Sequence, residues 1–537
     1  MVTTGDYNGR RRSLAHSMAG SRHWAPASRW LLGLTMTLAC GSAMAQAMYR
    51  IKPLGYLGGC TSSAPTASGL NDSDQVTGQA CNAHGDLHAF KWKNDGNPMV
   101  DLGPNEVGST SNGNAINASG LITGDAQDST GQFAFLSSGN GAPLTKIPNT
   151  LGGNRIFAYA LNDSGQVTGQ AATFPDSYPD HAFLWKNDGS PMLDLCPGCN
   201  LWSVGVAINA SGQVAGGEGD YASPYGFAVL WNSDGTAVEL GWLKDGGYST
   251  SCCINASGQV SGNSDTGGDG YGRYSARTHS FIWKNDGTPM HNLGTLGGAE
   301  SVATALNDSG QVAGYSDTDR FRKPHAFVWL NDGTPIQDLG TFGGSRSQAN
   351  DINASGQVTG SANLSGDSVT HAFLWRNDGT DVEDLNTLID PTDPLRAYVT
   401  LNSGAFINNS GDILAYGTDS RTASTNVPYL LQGTVLTLSP RSLAFGSHRT
   451  GTTSAAKSVS VTNTSGKPVA IASVSLTGSA AGQFTSTSDC GKSLGGHAIC
   501  TIKVSFKPTS KGAKSALLNL NGGGGGLRTV SITGTGT

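Results

Sequence analysis

The chain has 537 residues, with 76 Gly, about twice ordinary usage, and 13% charged residues, about half of it, which excludes a coiled coil or a charged disordered tail. The net charge is −6, and −10 without the first 45 residues, which carry five Arg and one Asp, so nucleic acid is disfavoured as a partner. Hydrophobic cores stop growing near roughly 250–300 residues, so two bodies are expected.

Arg10, Arg11, Arg12, Arg22 and Arg29 precede an apolar run from Trp30 to Ala39, followed by Ala43-Met44-Ala45. This pattern predicts a secretory signal over 1–45 with cleavage after Ala45, and a protein that is extracellular or periplasmic. The run is too short for the roughly twenty residues of a bilayer crossing, and no comparable run follows, so no membrane span is expected after cleavage. Eight cysteines remain, an even count suited to an oxidising compartment. Cys60 with Cys81, inside one repeat, and Cys490 with Cys500, near the C-terminus, are the favoured disulfides. The pairing of Cys196, Cys199, Cys252 and Cys253 stays open, although the C-P-G-C at Cys196 to Cys199 reads as structural because no second C-x-x-C accompanies it.

From residue 46 to 433 a unit of about 46 residues recurs. The segment N-x-S-G-Q-V-x-G stands at Asn162, Asn209, Asn255, Asn307 and Asn353, with looser copies at Asn71, Asn117 and Asn408. Each unit also carries an aromatic run such as His181 to Trp185, and turn signals such as Asn187-Asp188-Gly189. Four short antiparallel strands per unit, apolar on both faces, predict the blades of a β-propeller, eight-bladed, with seven as the alternative. Tyr49 to Gly55 aligns with the fourth-strand stretches and is expected to complete the last blade, leaving no open sheet edge.

The His-Ala-Phe at His88, His181, His325 and His371, with His279-Ser280-Phe281 as a variant, resembles the HAF-repeat extracellular proteins. That resemblance implies secretion and a propeller fold, and it carries no reaction. From residue 434 to 537 the pattern changes to alternating strands at Lys457, Pro468, Thr501, Ser515 and Thr529, predicting an immunoglobulin-like sandwich. This segment resembles the Hydin-type (ASH) immunoglobulin-like domain of choice-of-anchor D bacterial proteins. Gly522 to Gly526 reads as a hairpin loop, since no Lys-Ser/Thr follows to make a phosphate cradle.

The links between strands 2 and 3 and between strands 4 and 1 vary in length, and they are expected to share one face that binds a carbohydrate or an extracellular protein. Candidate contacts are Phe174, Tyr178, Tyr221, Tyr225, Tyr271, Tyr274 and Phe321, aromatic rings suited to stacking on sugars or protein. The recurring His is expected to make structural hydrogen bonds, and the recurring N-x-S to serve turns. Asp265, Asp269, Asp317 and Asp319 lack the dense pattern of a calcium loop, and neither a metal nor a cofactor is expected. The first strands carry isolated charges (Arg155, Glu300, Arg346, Asp351) without a convergent catalytic group, so a non-enzymatic binding protein is expected. The alternatives are a glycosidase or lyase, and an envelope or matrix scaffold.

Overall fold

The structure is a computed structural model that describes residues 49–537 apart from 59–62, 176, 198–201, 220–225, 244–245, 268–277, 320, 423, 434–435, 441, 464–467 and 523–525. The signal expected over 1–45 lies outside the described residues. The described chain is all β, with one short 3₁₀ turn at Ala481–Gln483. No helix among the described residues is long and apolar enough to cross a membrane.

Residues 49 to 433 form eight four-stranded antiparallel sheets among the described residues. Seven are built from consecutive strands, as in the third: Ile156–Leu161, Val167–Phe174, Ser177–Trp185 and Leu193–Asp194. The eighth takes Val399–Ile407, Ile413–Asp419 and Ser424–Gly433, and its fourth strand is Tyr49–Pro53. Ala182, Phe183, Leu184 and Trp185, consecutive on one strand, are all buried, so both faces of the sheet are covered by neighbours. Each first strand touches the first strand of the next sheet, and Val399–Ile407 touches Thr66–Leu70 of the first sheet.

Four positions of the repeated motif have a physical role. The Asn is buried at 3–6% exposure, and its side-chain oxygen accepts amides two and four residues ahead, as Asn162 does from Ser164 and Gln166. Its amide donates to the carbonyl of the next unit's Asn. Eight such bonds of 2.9–3.3 Å run Asn71, Asn117, Asn162, Asn209, Asn255, Asn307, Asn353, Asn408 and back to Asn71. The turn Gly adopts positive φ, 77° at Gly165, where a side chain would be strained. The following Val is fully buried in six units. The closing Gly is steric: a Cβ on Gly169 would lie 1.8 Å from the Phe157 carbonyl oxygen of the neighbouring strand.

The recurring His is also structural. His Nδ1 lies 2.7–3.0 Å from an Asp carboxylate thirteen residues later, in the pairs His88–Asp101, His181–Asp194, His325–Asp338 and His371–Asp384. His279 meets Asn292 instead at 3.1 Å. Burial pushes the Asp101 and Asp338 carboxyls up, but hydrogen bonds from the His and a backbone amide outweigh it and hold both below the usual range. At five junctions a Ser near the start of the following first strand accepts the third strand's amide, as Ser203 Oγ does from Ala182 at 2.8 Å, joining one sheet to the next.

The junction between the two ends of this array is tightly paired. Tyr49 to Pro53 pairs residue for residue with Gly433 to Tyr429. Tyr49 Oη donates to the Gly411 carbonyl at 3.0 Å, and Asp393 accepts the Ile51 amide at 2.8 Å. Across the seam to the first sheet, Tyr416 Oη donates to the Ala67 carbonyl at 2.9 Å.

The C-terminal segment packs a four-stranded sheet on a five-stranded one, around a core that includes Val459, Val461, Ile502, Val504, Phe506, Leu518 and Ile532. All five strands expected from the sequence are present, and Gly512–Gly522 pairs with Gly526–Gly536 as a hairpin. Cys490 and Cys500 are bonded, as expected. Cys81 and Cys196 are disulfide-bonded, and Cys60 and Cys199 lie outside the described residues. Cys252 and Cys253 are free thiols.

Candidate functional site

The strand order fixes which loops meet. The links between strands 2 and 3 and between strands 4 and 1 leave the sheets at the same strand ends, and in at least four units polar contacts among the described residues stitch them together. Arg155 pairs with Asp180 at 2.9 Å and Glu300 with Arg322 at 3.3 Å. Asp265 accepts the Gly247 and Tyr248 amides, and Asp367 accepts the Ser345 amide. Two of the four isolated charges, Arg155 and Glu300, are therefore loop fasteners, and they belong to different sheets. Asp265 and Asp317 lie in separate sheets, Asp319 caps the Phe321 amide, and Asp269 lies outside the described residues. The tightest cluster of potential metal ligands among the described residues is Asp489, Cys490 and Cys500, whose sulfurs are already joined.

On this stitched face Phe174 is 59% exposed and Phe321 is 65% exposed, although they belong to the third and sixth sheets of a well-packed array. The Phe and Trp rings at the centre of the third strands, such as Phe183, Trp231, Phe327 and Phe373, are by contrast buried. Tyr178 sits on the strand Ser177–Trp185, with its side chain outside the description. Tyr221, Tyr225, Tyr271 and Tyr274 lie outside the described residues. The structure thus places two of the seven candidate rings in solvent on one face, and they are three sheets apart.

The opposite face holds a feature that the sequence reading missed. A cavity of about 360 Å³ is lined by Asn71, Asp72, Asn117, Asn162, Asp163 and Ala210, residues of the turns between first and second strands in four successive units. Its polar groups are largely engaged with one another, for Asp163 accepts the Ala118 amide at 2.9 Å and the Asn amides feed the ring of eight bonds. The signal for it was the motif's second position, which alternates irregularly between Asp, Asn and Ala.

On the first strands themselves, Asp351 is the unusual group. Its carboxylate accepts the Ile352 amide and, at 2.9 Å, the Ile407 amide of the next sheet. The residue is half-buried, and this burial pushes its pKa up to about 7 against the pull of those two amides. A folded-state pKa above the unfolded one favours the folded state at low pH, and that contribution is lost as pH rises through about 7. Asp351→Asn should therefore flatten the fall in stability between about pH 4 and 7, measured as the urea midpoint at each pH; an unchanged slope would show that the carboxyl titrates normally.

Residues 434–528 match the family model described as ASH: Abnormal spindle-like microcephaly-assoc'd, ASPM-SPD-2-Hydin. The ASH / PapD-like domain 7 of human CEP192 is similar at 14% identity, covering 19% of this chain and 86% of that one, with a TM-score of 0.16. TolB from Acinetobacter baumannii is similar at 14% identity over 50% of this chain and 63% of its own, with a TM-score of 0.29. Porphyromonas gingivalis dipeptidyl peptidase 4 is similar at 9% identity over 70% of this chain and 60% of its own, with a TM-score of 0.43. No curated protein sequence matches the chain. These neighbours bear on one expectation: peptidases stand among them, so the expectation that this chain is not an enzyme is not confirmed. At 9% identity the likeness assigns no peptidase reaction to it either.

Proposed function

We propose that residues 49–433 are an eight-bladed β-propeller of the HAF-repeat kind, exported from the cell, which binds a carbohydrate or an extracellular protein on the face formed by its 2-to-3 and 4-to-1 loops. The blade number is supported by the eight Asn bonds that return to Asn71 and by the pairing of Tyr49–Pro53 with the last sheet. The single observation that carries the binding reading is the exposure of Phe174, at the end of a second strand, and of Phe321, in a 2-to-3 loop, beside segments fastened by ion pairs and a capped carboxylate. An apolar ring held in water on a rigid support loses little entropy when a ligand covers it. The ASH-type module would space this face from other structures or add a second contact.

The test is a glycan array probed with the chain and with a Phe174→Ala, Phe321→Ala double variant. Binding should fall at least tenfold in the variant with the urea midpoint unchanged, and an array signal indifferent to both rings would overturn the reading. A second reading, a glycosidase or lyase working on the ring's interior, is favoured by Asp351, a half-buried carboxyl with a pKa raised to about 7, as suits a general acid. Turnover of a chromogenic glycoside that disappears in Asp351→Asn would establish it.

A further inference from the structure

The two free cysteines are neighbours in sequence, and in a regular strand their side chains would point to opposite faces. They do not. The strand Ser249–Ile254 shifts register between Ser251, opposite Gly262, and Cys253, opposite Ser261, so Cys252 is the extra residue of a β-bulge. The bulge turns both sulfurs to one side, and the Cys253 thiol donates to Cys252 Sγ at 2.7 Å. Non-bonded heavy atoms rest roughly 3.5–4.0 Å apart and a disulfide spans about 2.05 Å, so the pair lies well inside the first distance and a fraction of an ångström from the second.

The same bulge recurs in the neighbouring sheets, where it is filled otherwise. Thr304 and Ala305, and then Asn350 and Asp351, occupy the two positions in the next two first strands. Thr304 and Asn350 each send a hydrogen bond to the following sheet, to Ala349 and Gly404 respectively. Cys252 reaches Ser261 Oγ at 3.3 Å within its own sheet, and Cys253 reaches the Thr304 carbonyl at 3.5 Å. In this unit, then, the position that elsewhere joins sheets holds paired sulfur. Both residues keep part of their surface accessible.

We infer that Cys252 and Cys253 form a reversible dithiol–disulfide couple on the first strand of the fifth sheet, exchanging with a small-molecule disulfide. The donated S–H from Cys253 holds the Cys252 thiol below its usual range, while the same bond and burial push Cys253 up, so Cys252 is the attacking sulfur. Its thiolate attacks one sulfur of a disulfide RSSR, forming Cys252–S–S–R and releasing RS⁻. Cys253 then gives up its proton, and its sulfur displaces the second RS⁻ from Cys252 Sγ. Two thiols lose two protons and two electrons in all, and RSSR becomes two RSH.

The test follows the tryptic peptide 245–273, which holds both residues. The full chain is reduced, freed of reductant, exposed to oxidised glutathione, then alkylated and digested. The expected peptide is two hydrogens lighter and carries no alkyl group, and after reduction it takes two. Cys253→Ser should instead retain one glutathione on Cys252, because the resolving sulfur is gone. Two alkyl groups, or two glutathiones, on the oxidised peptide would overturn the inference, as would a Cys253→Ser peptide with no glutathione. Matching circular dichroism of wild type and variant shows that the fold is not what changed.

Discussion

Gly169→Ala is expected to lower the stability of the repeat region by about 3 kcal/mol or more, because the added methyl has nowhere to go. The ideal Cβ lies 1.8 Å from the Phe157 carbonyl oxygen, 2.9 Å from its carbon and 3.0 Å from Ala158 Cα. All three are backbone atoms of the paired first strand, so relief requires two strands to separate and the Ile156–Leu161 ladder to stretch. The φ of Gly169 lies outside the left-handed region, so the cost is purely steric. Gly189→Ala supplies the contrast: φ is +84° there with nothing within 4 Å, and the expected loss is about 1 kcal/mol of backbone strain. Urea midpoints followed by far-ultraviolet circular dichroism compare the two variants. Equal shifts would show that the strands yield at Gly169 and that the motif's last glycine is not a packing requirement.

Asn408→Ala should cost about 2–4 kcal/mol, since it removes one buried side chain that serves four partners. Asn408 donates to the Asn71 carbonyl at 3.3 Å and to Asp74 Oδ1 at 3.1 Å, and it accepts the Ser410 and Asp412 amides. The position matters as much as the magnitude. Asn162→Ala breaks an equivalent link between consecutive sheets, whereas Asn408→Ala breaks the one between the eighth sheet and the first. Hydrogen exchange at Tyr49–Pro53 should accelerate in Asn408→Ala and stay slow in Asn162→Ala. Equal protection of that strand in both variants would mean that its own pairing with Gly433 to Tyr429 suffices to hold the seam.

The repeat, its four strands and the pairing of the leading strand were legible because they rest on local chemistry: turn glycines, the Val that must be buried, and aromatic runs with both faces apolar. The N-x-S motif was only half legible. Its turn role follows from Asn geometry, but the reach of Asn162 to Asn209 depends on how two units stack, which nothing inside one unit states. The His was rightly read as structural, and its partner was missed although the thirteen-residue spacing to Asp101, Asp194, Asp338 and Asp384 is constant. The meeting of Cys252 and Cys253 was not legible, because a bulge is a property of the paired strands and a regular strand would have kept the sulfurs apart. Phe174 and Phe321 stand at the strand ends where the order of strands in the sequence puts them, since loop position follows from strand order. The cavity on the far face comes from the joint geometry of several turns, and no single turn encodes it.

The strand Tyr49–Pro53 finds its partner about 380 residues further along the chain. At a ribosomal pace of about 5–20 residues per second it waits tens of seconds as a bare edge, able to template the wrong neighbour while sheet after sheet is completed. Its sequence is suited to that interval: Arg50 and Lys52 alternate with the two residues it will bury, and Pro53 lacks an amide to offer. Positive charge and a missing donor keep the segment solitary during synthesis, and the anionic Asp390 beside Arg50 is supplied only when the proper place exists.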